Sequence, residues 1–124
     1  MIKRRRYSKL PLQANFYPVA SMMYIQDKMA RLSIISRQPL GGTSSDSGQV
    51  ELMQDRRLEK DDQRGLMQGV MDNKVTQLHF LLLLEFRTSG CEVEPGDSQA
   101  SYPSLVGQAV RHMLLNPLYR LDEG

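Results

Sequence analysis

The stretch Gln77-Leu-His-Phe-Leu-Leu-Leu-Leu-Glu-Phe-Arg87 carries the strongest structural signal in the chain. Its even positions, Leu78, Phe80, Leu82, Leu84 and Phe86, are all apolar, whereas the odd ones include Gln77, His79, Glu85 and Arg87. Successive side chains of a β-strand point to opposite faces, while an amphipathic helix needs apolar spacings of three and four. The alternation therefore predicts a strand whose even face is dry. His79 falls on the wetter face, where a solvent-exposed or edge histidine is a simpler reading than a ligand or a base.

The segments before it read the same way. Between residues 10 and 27, Pro11 and Pro18 interrupt any helix, and Phe16, Tyr17, Val19, Met22, Met23, Tyr24 and Ile25 suit a half-buried pleated surface, which predicts one or two strands. Over residues 31–37, Leu32 and Ile34 share one face and Ser33 and Ile35 the other, again a short β-branched strand. Pro39, Gly41, Gly42 and residues 43–48 are expected to form a turn-rich loop, because Gly accepts positive φ and Ser or Asp can bond back to the local backbone. Residues 49–55 alternate once more, Val50 and Leu52 opposite Glu51 and Met53.

Beyond the central strand, residues 91–100 are polar and turn-like, and Cys91 among them reads as a free, inert thiol because neither a basic shell nor a histidine stands near it in sequence. A short helix is predicted to begin near Ser101 or Tyr102 with Pro103 in its first turn, to carry Val106, Val110, Met113 and Leu114 along one side, and to stop before Pro117. The pattern that follows is mainly β with one short C-terminal helix and no internal repeat.

Composition narrows the function classes. A chain of 124 residues is one small domain or a piece of a larger one. Hydrophobic residues make up 40% and aromatics 6% with no Trp, so the core is expected to be thin and rich in Leu and Met. One cysteine makes no internal disulfide, and no Cys and His cluster offers four zinc ligands. No run approaches the roughly 18 apolar residues of a membrane span and no charged-then-apolar leader opens the chain, so as written it is expected to be neither anchored nor secreted. The 16 Lys and Arg against 14 Asp and Glu conceal an asymmetry: Lys3, Arg4, Arg5, Arg6 and Lys9 fall in the first ten residues with no anion. Such an arm can neutralise phosphates. With only Tyr7 interleaved and no recognisable reading helix, it reads rather as a solvated tail or strand edge, and no nucleic-acid partner is expected.

The middle of the chain is dense in groups that can pair: Asp55, Arg56, Arg57, Asp61, Asp62 and Arg64, with Gly65 and Gly69 behind them. The planar Arg fork matches a carboxylate, which favours a salt-bridged loop. A sugar-binding surface is the alternative, since hydroxyls donate to Asp and accept from Arg. Asp61 and Asp62 are a poor catalytic pair. A retaining glycosidase sets its two carboxyl groups about 5–5.5 Å apart in different environments, whereas sequence neighbours in an extended chain point to opposite faces.

Several longer motifs bring a family into view. They are Lys9-Leu-Pro-Leu-Gln-Ala-Asn15-Phe-Tyr-Pro18, Tyr24-Ile-Gln-Asp27, Gln38-Pro-Leu-Gly-Gly42, Ser47-Gly48, Met53-Gln-Asp-Arg-Arg-Leu58, Asp61-Asp62, Arg64-Gly-Leu66, Gln68-Gly69 and Asp72-Asn-Lys74. In this order and spacing the chain, from about residue 9 to residue 85, resembles the Golgi-type alpha-mannosidases of glycoside hydrolase family 38; after Arg87 the likeness thins to Tyr102-Pro-Ser-Leu105 and Asn116-Pro-Leu118. The resemblance implies a retaining enzyme that removes alpha-1,3 and alpha-1,6 mannoses from N-glycans on the lumenal side of the Golgi membrane. It implies an amino-terminal catalytic barrel holding nucleophile, general acid and zinc, with this stretch a partial antiparallel β-sandwich with one short C-terminal helix in the carboxy-terminal β region. No catalytic residue and no metal ligand is then expected here, zinc being bound elsewhere in the longer enzyme. The implied organisation is a basic lead-in over residues 1–8, part of the β domain over 9–90, a loop over 91–100, and helix and tail over 101–124. The implied partners are the mannose-bearing N-glycan and the catalytic barrel of the same chain. The resemblance also maps a pocket-wall arginine onto Arg57 or Arg56, the former preferred, with Asp55, Asp61, Asp62 and Arg64 supporting its loop. Where relatives typically place Gly, this chain has Met67. A stand-alone carbohydrate-binding or protein-interaction module without chemistry is the competing expectation.

Overall fold

A computed structural model describes residues 1–4, 6–54, 63, 65, 67–69, 71, 74–88 and 100–119. Its framework is a long antiparallel hairpin broken once on each side. The first arm consists of β1 (Tyr17–Val19) and β2 (Met22–Gln26), the second of β3 (Ala30–Ser36) and β4 (Leu40–Thr43). Near the hairpin tip β2 pairs with β3, and β6 (Phe80–Phe86) extends that sheet on the far side of β3. Past the break β1 pairs with β4, and β5 (Glu51–Met53) adds to β4. Two three-stranded antiparallel sheets result, in the orders β2-β3-β6 and β1-β4-β5.

The break has a local cause. Pro39 brings no N–H to a ladder, and the Ser36 hydroxyl donates to the Gln38 carbonyl at 2.7 Å, turning the chain. Across the break, the Ser36 amide still donates to the Ser21 carbonyl at 2.9 Å, so the arms stay together. At the tip, Asp27 accepts from the amides of Met29 at 2.7 Å and Ala30 at 2.8 Å. These two bonds hold its carboxyl below its ordinary value of 3.8, the Ala30 amide contributing most.

One α-helix among the described residues, α1 (Leu105–Leu115), packs on the β2-β3-β6 sheet. Ser104 is its N-cap, its hydroxyl accepting from the Gly107 amide at 2.9 Å. The start thus lies later than the Ser101 or Tyr102 predicted, with Pro103 before the cap rather than in the first turn. Ser101 instead donates its amide to the Met1 carbonyl at 2.9 Å, beside an isolated Ile2–Ala100 bridge. The end, at Leu115 before Pro117, is as expected. The inward face differs from the predicted stripe: Val110 and Leu114 are half-buried, but Val106 and Met113 are exposed. The buried residue of the helix is Gly107, where a Cβ would sit 3.5 Å from Met22 Cε.

Two further expectations are corrected. Gly41 and Gly42 belong to β4 and not to a loop. A Cβ on Gly42 would lie 2.8 Å from Val19 Cγ2 and 3.1 Å from Met23 Sδ, so the missing side chain serves close packing between the two sheets. Only the stretch beyond β4 turns, with Gly48 at φ 78. The even face of β6 is not dry either, for Leu82, Leu84 and Phe86 are exposed at 69%, 57% and 79%. The better-covered face is the opposite one, under the helix, where Ser33 and Ile35 of β3 are enclosed, while Leu81 of β6 on that side is still 39% exposed. His79 is exposed, as expected.

Candidate functional site

The residues that the resemblance singles out, Asp55, Arg56, Arg57, Asp61, Asp62 and Arg64, lie outside the described residues, as does Cys91. Residues 54–79 connect β5, at the edge of one sheet, to β6, at the edge of the other. Within that connection Gln63 and Met67 take the left-handed backbone at φ 62 and φ 55. At position 67 the conformation is therefore one that Gly adopts without a Cβ penalty and Met does not. Met67 is exposed, so no packing offsets that cost.

What the described residues do form is a groove of about 1060 Å³ bounded by the amino-terminal stretch, the β1–β2 arm and the start of α1. Its walls carry Lys3, Arg4, Arg6 and Arg111 together with Tyr17 and Tyr24, and no carboxylate among the described lining residues. Arg4 stacks over the Tyr17 ring at 4.6 Å. Arg6 reaches Asp46 at 3.3 Å across an exposed bridge, an interaction worth little on its own. Arg31 stacks over Tyr24 at 4.6 Å and donates to the Gln26 side chain and the Tyr102 carbonyl, each at 2.8 Å, which fastens residue 102 to the sheet.

The basic lead-in is thus tied down and not simply solvated. Buried Asn15 accepts from the Tyr7 amide at 2.9 Å, and its own carbonyl accepts from the Thr43 hydroxyl at 2.8 Å, pinning the lead-in to the end of β4. Sequence reasoning missed the aromatic partners of these cations because Arg4 meets Tyr17 only through the return of the lead-in against β1, and Arg31 meets Tyr24 only through the β2–β3 register. Three polar atoms at the helix–sheet seam, Tyr24 Oη, Gln108 Oε1 and Arg111 Nε, are buried and have no partner among the described residues. A buried polar atom left unpaired costs about 1–3 kcal/mol, and Arg111 offsets part of this by donating through Nη1 to the Ser21 hydroxyl at 3.4 Å.

The four described acids all have local roles. Asp27 caps the hairpin tip, Asp46 meets Arg6, Glu51 accepts from the Ser45 hydroxyl, and Glu85 stands opposite Arg31 in the β3–β6 register. No group of three His, Cys, Asp or Glu among the described residues converges to hold a metal ion. The zinc that the resemblance implies therefore has no donor set in this described part. Likewise, no described helix is long and apolar enough to cross a membrane.

The described residues thus form two three-stranded antiparallel sheets with one α-helix packed on one of them. Comparison with known proteins gives the family. Residues 1–64 match the model of the glycosyl hydrolases family 38 C-terminal domain. The chain is 51% identical over 114 residues to alpha-mannosidase 2 of Mus musculus, covering 92% of this chain and 10% of that protein. To alpha-mannosidase 2 of Drosophila melanogaster it is 49% identical over 118 residues, 94% of this chain and 10% of the relative. To that of Arabidopsis thaliana it is 42% identical over 120 residues, 95% of this chain and 10% of the relative. The chain belongs to glycosyl hydrolase family 38, within its C-terminal domain, and spans about a tenth of the length of the curated relatives it matches.

Proposed function

We propose that this chain is a scaffold portion of a retaining alpha-mannosidase that hydrolyses alpha-1,3 and alpha-1,6 mannosidic bonds during N-glycan processing on the lumenal side of the Golgi membrane. The observation that carries the reading is the 51% identity to alpha-mannosidase 2 across 92% of the chain. In this reading the nucleophile, the general acid and the zinc belong to a catalytic barrel elsewhere in the polypeptide. Residues 9–90 contribute the β framework, residues 1–8 the lead-in, residues 91–100 a loop, and residues 101–124 the helix and tail.

The chain's own contribution to chemistry is Arg57, with Arg56 as its neighbour, on the connection between the two sheets. A guanidinium there orients mannose hydroxyls, directly or through water, so that binding energy from groups remote from the broken bond favours the transition state. Asp55, Asp61, Asp62 and Arg64 brace that connection through carboxylate–guanidinium pairing. In the complete polypeptide, Arg57→Ala is expected to raise KM or lower kcat while zinc content stays unchanged; unaltered kinetics contradict the role.

A second reading, a carbohydrate-binding or protein-interaction module without chemistry, is favoured by the groove where Arg4 stacks on Tyr17. The transcript separates the two. An in-frame barrel with His and Asp zinc ligands upstream supports the enzyme, and a dedicated promoter and stop around this short frame supports the module.

A further inference from the structure

The groove between the lead-in, the β1–β2 arm and the start of α1 gathers four cations, Lys3, Arg4, Arg6 and Arg111, and no described lining residue is an acid. Like charges so placed repel one another, and a concave wall of one sign concentrates ions of the other. Little among the described residues neutralises them. Lys3 has no hydrogen bond or ion pair there, Arg4 meets only the Tyr17 ring, and the Arg111 guanidinium is held by a single 3.4 Å bond to the Ser21 hydroxyl. Arg6 alone has an anion, Asp46, through a bridge exposed on both sides.

The same wall lacks hydrogen-bond partners of both kinds. Arg111 Nε is a donor, Gln108 Oε1 an acceptor and Tyr24 Oη either, and all three are buried on groove-lining residues with no partner among the described residues. Closed to bulk water, they pair only with a ligand drawn against the wall, which the weak hold on Arg111 allows. A bare oxyanion supplies acceptors only, so it satisfies Arg111 and leaves Gln108 unpaired. A ligand with hydroxyls beside its charge supplies both. At about 1060 Å³ the groove has room for a sugar of roughly one or two rings.

We propose that this groove binds a sugar carrying an oxyanion, a phosphate or sulfate ester. Lys3, Arg4 and Arg111 hold the oxyanion, while Gln108 and the Tyr24 hydroxyl take ring hydroxyls. The inference rests on the reading of the groove as a carbohydrate surface and gives that surface its ligand class; it holds equally where the chain serves a longer enzyme.

Calorimetric titration of the 124-residue chain, its fold verified by β-rich circular dichroism, tests this with mannose 6-phosphate, mannose and inorganic phosphate. Mannose 6-phosphate is expected to bind at least about tenfold more tightly than either of the others, and less tightly as salt rises. Lys3→Gln and Arg111→Gln are each expected to weaken it about tenfold, while Lys28→Gln, on the exposed hairpin tip outside the groove, leaves it unchanged. Lys3 is exposed and bonded to nothing described, so its variant reads binding without disturbing the fold. Gln108→Met is expected to weaken mannose 6-phosphate about fivefold and to leave inorganic phosphate unaltered, which separates the sugar from the free ion. Mannose bound as tightly as its phosphate, with no effect of Lys3→Gln or Arg111→Gln, overturns the inference and leaves a groove for neutral sugars. Inorganic phosphate bound as tightly as mannose 6-phosphate also overturns it, leaving an ion site. No binding of any probe overturns it together with the carbohydrate form of the module reading.

Discussion

The two faces of the β2-β3-β6 sheet differ more than their sequences do. On one, Ile35 and Ser33 are sealed beneath α1, at 0% and 2% exposure; on the other, Leu82, Leu84 and Phe86 face outward. The covered face carries Arg31, Ser33 and Glu85 while the open one is the more apolar row, so what separates them is cover and not composition. Where cover exists it is tight. Gly107 lets the helix lie against Met22, and Gly42 lets the second sheet lie against Met23 at the covered end of the otherwise open face. Burial is thus a property of the partner layer as much as of the strand.

The most severe way to break this contrast is at its covered side. Ile35→Ala in the 124-residue chain is expected to cost about 2–4 kcal/mol in chemical denaturation, since a fully enclosed side chain leaves a cavity. The matching Leu84→Ala is expected to cost less than about 1 kcal/mol, because little apolar area is lost from cover. Equal costs would mean that the two faces are equally packed.

Next comes the seam between the sheets. Gly42→Ala is expected to destabilise by about 1–3 kcal/mol, as the new methyl meets Val19 and Met23 inside contact distance. Thermal melting reads this, and an unchanged midpoint would show that the sheets do not meet there.

A smaller effect of opposite sign is expected on the connection that leaves the seam. Met67→Gly relieves a left-handed backbone without losing a packed side chain, for a gain of up to about 1 kcal/mol by denaturant titration. A loss would show that the bound conformation at 67 is not left-handed.

The smallest effect is a pH dependence at the hairpin tip. Because the Asp27 carboxyl is held below 3.8 by the Ala30 and Met29 amides, its stabilising contribution is complete above that value and fades as pH falls through the lower, folded one. Faster exchange of the Ala30 amide in acid, flattened by Asp27→Asn, is expected. The same rate at every pH would remove the carboxyl from the turn.

Much of the architecture was legible in the residues. Period two over residues 77–87 announced β6, and Pro117 announced the helix end. The dry side of β6 was not legible, because alternation marks two faces and only a neighbouring layer decides which is covered. Gly41 and Gly42 misled for a related reason: glycine's backbone freedom suggests a turn, while its lack of a side chain serves close approach equally well. Ser101 and Ser104 both precede the helix, and only the bond to the Gly107 amide distinguishes the cap. At the candidate site, the motif around Arg56 and Arg57 carried the family, and the comparisons bear that family out. The pairing of Arg4 with Tyr17 had no local signal, since it depends on strand β1 meeting the lead-in.

The central claim is that this stretch frames a mannoside pocket whose bond-breaking groups lie elsewhere. Its most direct test is hydrolysis of an aryl alpha-mannoside by the purified 124-residue chain, with zinc supplied and the fold verified by β-rich circular dichroism. The account expects no turnover above the uncatalysed rate. Zinc-dependent turnover abolished by substituting an acid within these residues would contradict it.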